Sequence, residues 1–184
     1  MDIIYDMIYK KGAKILLMLN KNEIAIFKQL QTYIDEHYVP PRFRETDKDD
    51  FCDRIFDIRE IDFGKKIDKV QNKFCIHILA HFNEDFAQLR DCCRSACISK
   101  ESYIKILNKT FSPSKECVCK VAIAANLNID NVLQLFNAAN IILYEDNKFD
   151  VVMTFFFVNG IFDFCTINKI LFLLDLPMLC YAFI

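Results

Sequence analysis

The chain has no tryptophan, three glycines and four prolines among its 184 residues. So little glycine leaves no material for a phosphate-cradling loop, and neither a G-x-S-x-G elbow nor an H-E-x-x-H helix is present. With nine cysteines and three histidines a Cys–His nucleophile can always be imagined, but nothing selects one pair, so the chain is read as non-catalytic. An excess of charge is missing too. Twenty-three Lys and Arg stand against 25 Asp and Glu, for a net charge of −2. Nucleic-acid-binding domains are usually basic, so any DNA binding here must come from local charge. A membrane-spanning run is also missing: Lys10, Lys11, Gly12 and Lys14 break the first apolar stretch well short of the ~20 residues required. No signal-peptide pattern opens the sequence, and the expected location is the cytoplasm.

What is present is a great deal of apolar material. Hydrophobic residues make up 53% and aromatics 14%, which excludes a disordered chain, and 18 Phe imply a core filled by flat rings. The nine cysteines are an odd count in a chain long enough to build a core, which argues against a secreted disulfide framework. Zinc spacing is poor at Cys117-x-Cys119 and at adjacent Cys92-Cys93. The pairs His77/His81 and Cys93/Cys97, each i, i+4, are the best metal geometry available. The plainer reading is that the thiols are reduced, metal-free and packed as small hydrophobes. No cofactor is expected.

Three divisions are expected. Residues 1–41 form an N-terminal helical arm whose apolar stripe is Ile15, Leu19, Ile26, Phe27, Leu30 and Ile34. The polar run Asn20 to Glu23 interrupts it, and Pro40-Pro41 ends it. The stripe is assigned to a protein partner or to self-pairing, the alternative being that it packs back on the Phe-rich C-terminal helices. Residues 42–70 form a charged connector with one short helix near Asp49-Asp50. Residues 71–184 form the main domain. Its helices are expected at about 74–84, 88–95, 100–108, 119–127, 129–139, 150–159 and 166–174. Ser99, Ser114 and Asn128 supply N-caps, Asp163 or Cys165-Thr166 caps the last helix, and Gly160 is a helix stop. The final MLCYAFI is too apolar to hang in water and should pack on this chain or a partner.

Residues 92–133 carry three helical patterns in quick succession, the raw material of a helix-turn-helix. Ala96, Ile98-Ser99, Ile106, Pro113-Ser114, Val121-Ala122 and the run Leu127 to Asp130 into Leu133 make this stretch resemble the helix-turn-helix of the XRE, or phage-repressor-like, family. Cys97 stands where that family usually has a small turn residue. From about Phe74 onward, including the pattern from Lys148 to Phe172, the chain is similar to an XRE-like module found at the end of longer bacterial proteins, for example behind macrodomains. The resemblance, which covers none of the first 70 residues, implies an all-α bundle with a C-terminal helical extension, and the N-terminal helical arm is added to it from its own apolar stripe. It also implies recognition from the second motif helix, carried over onto Ser99, Lys100, Glu101, Ser102 and Lys105, with Lys109 beyond them. Lysine and serine there can read guanine edges or anchor phosphates.

Two functions follow as expectations. One is an oligomeric, non-catalytic regulator binding double-stranded DNA, since one motif reads only a half-site. The other is an interaction module of the same fold without nucleic-acid duty, such as a partner or inhibitor in a phage-defence system.

Overall fold

Every described helix begins on a short polar side chain that accepts a hydrogen bond from its own first turn. The computed structural model describes residues 19–40 and 72–180. Among these residues lie α1 (Lys21–His37), α2 (Lys73–His81), α3 (Phe86–Ser95), α4 (Lys100–Leu107), α5 (Lys115–Ala124), α6 (Ile129–Ala138), α7 (Lys148–Val158) and α8 (Phe164–Leu173). The all-α expectation therefore holds, with no strand among the described residues. The caps, in order, are Asn20, Asn72, Asp85, Ser99, Ser114, Asn128, Asn147 and Asp163. Each satisfies one or more amide groups that the helix leaves unpaired. Asn20 and Glu23 form a full capping box: Glu23 N–H donates to Asn20 Oδ1 at 2.9 Å, and Asn20 N–H donates to Glu23 Oε2 at 2.7 Å. The polar run expected to interrupt the arm is thus the start of α1.

The helix ends share a second device. Seven helices, α2 to α8, stop at a residue of positive φ, and only one of these is a glycine, Gly160. The others are Asn83, Cys97, Lys109, Asn126, Asn140 and Asp175. After α3, Cys97 N–H donates to Arg94 O and Ile98 N–H donates to Cys93 O. The same pair of bonds recurs after α5, where Asn126 N–H reaches Ile123 O and Leu127 N–H reaches Ala122 O. This is the Schellman closure, in which the residue after the left-handed one is commonly apolar and folds back on the helix. Ile98, Leu127, Ile141, Ile161 and Leu176 fill that place. α1 ends differently, on extended Tyr38 ahead of Pro40-Pro41.

Packing runs through α5 and α7. Val118, Cys119, Val121, Ala122 and Ile123 of α5 are buried, as is nearly the whole of α7 from Phe149 to Phe157. α2 packs on α4 and α6, α3 on α5, α5 on α6, and α6 on α7. Aromatic rings meet at Phe136–Phe157 and Tyr33–Phe155, with centroids 6.2 and 5.3 Å apart. Fully burying each large side chain here contributes about 1.5–3 kcal/mol.

α1 lies on α7, and its apolar stripe faces inward. Leu30 is completely buried, Leu19 nearly so, and Ile26, Phe27 and Ile34 pack against the same core. The assignment of this stripe to a partner is corrected accordingly, because these side chains are taken up by the chain's own Phe-rich helices. Ile15 lies outside the described residues, as do the connector helix and residues 181–184. Of the final apolar run, Leu179 and Cys180 are buried against this chain. There Asn168, itself fully buried, donates Nδ2 to Cys180 O at 2.7 Å and accepts from Leu179 N–H at 2.9 Å. No helix among the described residues is long and apolar enough to cross a membrane.

Candidate functional site

α3 and α4 are joined by Ala96, Cys97, Ile98 and Ser99, a four-residue turn. Ala96 is fully buried. Cys97 takes the left-handed conformation at φ +53° that reverses the chain. Ser99 then caps α4, its Oγ accepting from Ser102 N–H at 3.2 Å, and Tyr103 donates its hydroxyl to Phe86 O at 3.2 Å, tying α4 to the start of α3. α4 is anchored inward by fully buried Ile106, while Tyr103 and Leu107 are half-buried. Ile104 is exposed, whereas Tyr103 packs against the core.

Of the residues that the resemblance implies for DNA, Ser99, Lys100, Glu101 and Lys105 are exposed and Ser102 is half-buried. These five share the first turns of α4. Lys109 is apart from them: it lies beyond the end of α4 at φ +58°, half-buried, with its carbonyl accepting from Asn72 N–H at 3.3 Å. The sequence reading left out Arg90 and Arg94, an i, i+4 pair on the exposed face of α3. Together with Lys100, Tyr103, Cys93 and Ile98 they line an open cavity of about 380 Å³ beside the start of α4. Asp91 sits between the two arginines, 3.6 Å from Arg90 Nε and 3.8 Å from Arg94 Nη1. The Glu101 carboxyl is held below the usual glutamate range by its own backbone N–H, then by Ser99 and the neighbouring lysines. The face thus presents more positive than negative charge although the chain as a whole is acidic.

The cysteines divide into two kinds. Cys97 and Cys180 are joined in a disulfide, which corrects the expectation that all thiols are reduced. Cys75, Cys92, Cys93, Cys117, Cys119 and Cys165 are free, and all but Cys165 are buried. Burial pushes the Cys92 thiol up to about 11, and burial with Cys92 and Cys117 nearby pushes Cys93 up to about 12. Such thiols are poor nucleophiles and poor metal ligands. Among the described residues no group of three or more His, Cys, Asp or Glu side chains converges as a metal site. The quartet of His77, His81, Cys93 and Cys97 therefore does not assemble.

A second concavity, of about 210 Å³, lies between the end of α1, α6 and α7, lined by Tyr33, His37, Leu133, Tyr144, Glu145 and Val151 among others. Leu133, Tyr144 and nearby Ile142 are more than half exposed. Comparison of the chain with protein-family models, with curated proteins and with solved structures finds no match.

Proposed function

We propose that this protein is a non-catalytic, cytoplasmic DNA-binding regulator of the XRE-like helix-turn-helix type, working as an oligomer, with α4 as the recognition helix. One observation carries the reading. The turn 96–99 sets Ser99, Lys100, Glu101 and Lys105 outward at the start of α4, with Arg90 and Arg94 of α3 beside them. Backbone amides and cations gathered at a helix start suit phosphate, and the side chains beyond them reach base edges. Pairing of two chains would place two such helices on adjacent half-sites and raise the affinity.

The test is an electrophoretic shift of random duplex at two salt concentrations. A complex that weakens steeply as salt rises is expected, because counterions are released wherever lysines and arginines meet phosphate. No complex at low salt defeats the reading.

A second reading, an interaction module that holds a protein partner, is favoured by the exposed Leu133 and Tyr144 that line the smaller concavity. Absence of a DNA complex, together with loss of partner capture on Leu133→Asp and Tyr144→Asp, would select it.

A further inference from the structure

The two bonded cysteines lie at ends of the fold that do different jobs. Cys97 is exposed and is the pivot of the turn between α3 and α4. Cys180 is buried and comes 83 residues later, after α8. Their Cα atoms are 6.7 Å apart, within the span that a disulfide bridges. Cys180 is held in that place by something other than the bond. Asn168 clamps the backbone on both sides of the Leu179–Cys180 link, through the Leu179 N–H and the Cys180 carbonyl. Breaking the bond therefore leaves the two sulfurs still facing each other.

A structural disulfide framework pairs the cysteines it has. Here six of the eight described cysteines stay thiols, five of them buried. The single bond has one sulfur on an exposed residue at the motif's turn, where a soluble thiol or disulfide can reach it. We propose that Cys97 and Cys180 are a reversible redox modification site, a latch that ties the C-terminal segment covalently to the α3–α4 turn when oxidised and leaves it held by the Asn168 hydrogen bonds when reduced.

The chemistry is thiol–disulfide exchange with a low-molecular-weight disulfide of the glutathione class. The Cys97 thiolate attacks one sulfur of glutathione disulfide, breaking its S–S bond and releasing one glutathione thiolate. The Cys180 thiolate then attacks the Cys97 sulfur of the mixed disulfide, forming the 97–180 bond and releasing the second glutathione. The two cysteine protons end on the two glutathione thiols. Two electrons pass from the protein to glutathione disulfide, and excess glutathione runs the sequence backwards. Cys92, Cys93 and Cys119 stay out of the exchange, since burial keeps them protonated and none is bonded to another cysteine; Cys180, buried as well, exchanges because its sulfur faces that of exposed Cys97.

The latch is independent of whether the chain binds DNA, and its test uses none. The full-length folded protein is equilibrated in glutathione buffers running from reducing to oxidising, acid-quenched and mapped by peptide mass spectrometry. Oxidation should remove two hydrogens from the intact mass and one alkylation site each at Cys97 and Cys180, fully restored by reduction. Amide exchange in residues 98–103 and 179–180 should be slower in the oxidised protein. Cys97→Ser, whose change lies on the surface, should abolish the cross-link while the melting curve stays that of the reduced wild type. Three results would overturn the proposal: a bond that never forms or never opens across the series; Cys97 paired with Cys52 or Cys165 instead; or equal exchange at α4 and the C-terminal segment in both states.

Discussion

Lys169 Nζ stands 2.8 Å from Oε1 of Glu23, so α8 holds α1 across 146 residues of sequence. The same carboxylate closes the capping box of α1 through its other oxygen and takes a longer contact from Thr166 at 3.4 Å. One buried side chain thus starts α1 and fixes it to α8. Glu23→Ala should destabilise the fold by about 1–3 kcal/mol, the sum of a lost cap and a partly exposed ion pair. Urea unfolding of the two proteins measures it.

The same contact predicts a pH dependence. Burial works against the Glu23 charge, but the hydrogen bonds from Lys169 and Asn20 and the Lys169 charge outweigh it, and its pKa is lowered. A lowered carboxylate pKa stabilises fully above the ordinary glutamate value of ~4.3 and loses that contribution as pH falls through the lowered value. Lys169 is raised by Glu23, so its part is present below ~10.4 and lost as pH rises through the raised value. The stability gap between wild type and Glu23→Gln should therefore be flat from pH 5 to 9 and close at both extremes. A gap that widens in acid would refute the assignment.

Asp150 is a harder case, because its side chain is wholly buried. Its Oδ2 takes both the Lys115 ammonium and the Tyr144 N–H, the latter at 2.9 Å. Asp150→Ala strands the Lys115 cation and leaves the Tyr144 N–H without its acceptor, which should cost about 3–5 kcal/mol. Asp150→Asn keeps an acceptor for Tyr144 and should lose less. Thermal melts of both variants rank them; equal losses would show that the amide contact contributes nothing.

Leu30 tests the place of α1. It is fully buried in the shared core, so Leu30→Ala should cost about 2–5 kcal/mol. A surface arm would lose far less. Calorimetry should also show one unfolding transition, with α1 melting together with α7.

On the proposed DNA face, the expected effects have opposite signs. Lys100→Ala and Lys105→Ala should weaken binding to all duplexes alike, each lowering the salt slope by about 1. Glu101→Gln removes a carboxylate that stays ionised at neutral pH and should tighten non-specific binding. Fluorescence anisotropy across a salt series reads both. If Glu101→Gln weakens binding, the carboxylate reads a base edge instead of repelling phosphate.

Much of the helix pattern was legible because caps are local chemistry. Ser99, Ser114, Asn128 and Asp163 were readable one helix at a time. Asn20 was passed over because four polar residues in a row look like a gap, although Asn20 and Glu23 have the spacing of a capping box. Helix ends were read only where glycine or proline marked one, at Gly160 and at Pro40-Pro41, whereas a polar residue followed by an aliphatic one marks four others: Asn126-Leu127, Asn140-Ile141, Asp175-Leu176 and Cys97-Ile98. The direction in which the α1 stripe faces was not legible, since a stripe of apolar side chains looks alike whether it meets its own core or another chain. Arg90 and Arg94 were not singled out because the resemblance places recognition on the second motif helix, and they lie on the helix before it. The Cys97–Cys180 pairing could not be read at all, because nine cysteines over this length do not state their connectivity.

A left-handed residue with a side chain costs roughly 1–2 kcal/mol relative to one that adopts the conformation freely. Six helices of this protein accept that cost at their ends, which leaves room to engineer a more stable chain. Glycine at Lys109, Asn126 or Asp175 should raise the melting temperature without touching the core. Cys97 is the exception. Glycine there would ease the same turn yet delete the sulfur that reaches Cys180. A stability screen blind to oxidation state would rank that variant as an improvement while it removed the covalent link between the motif and the end of the chain.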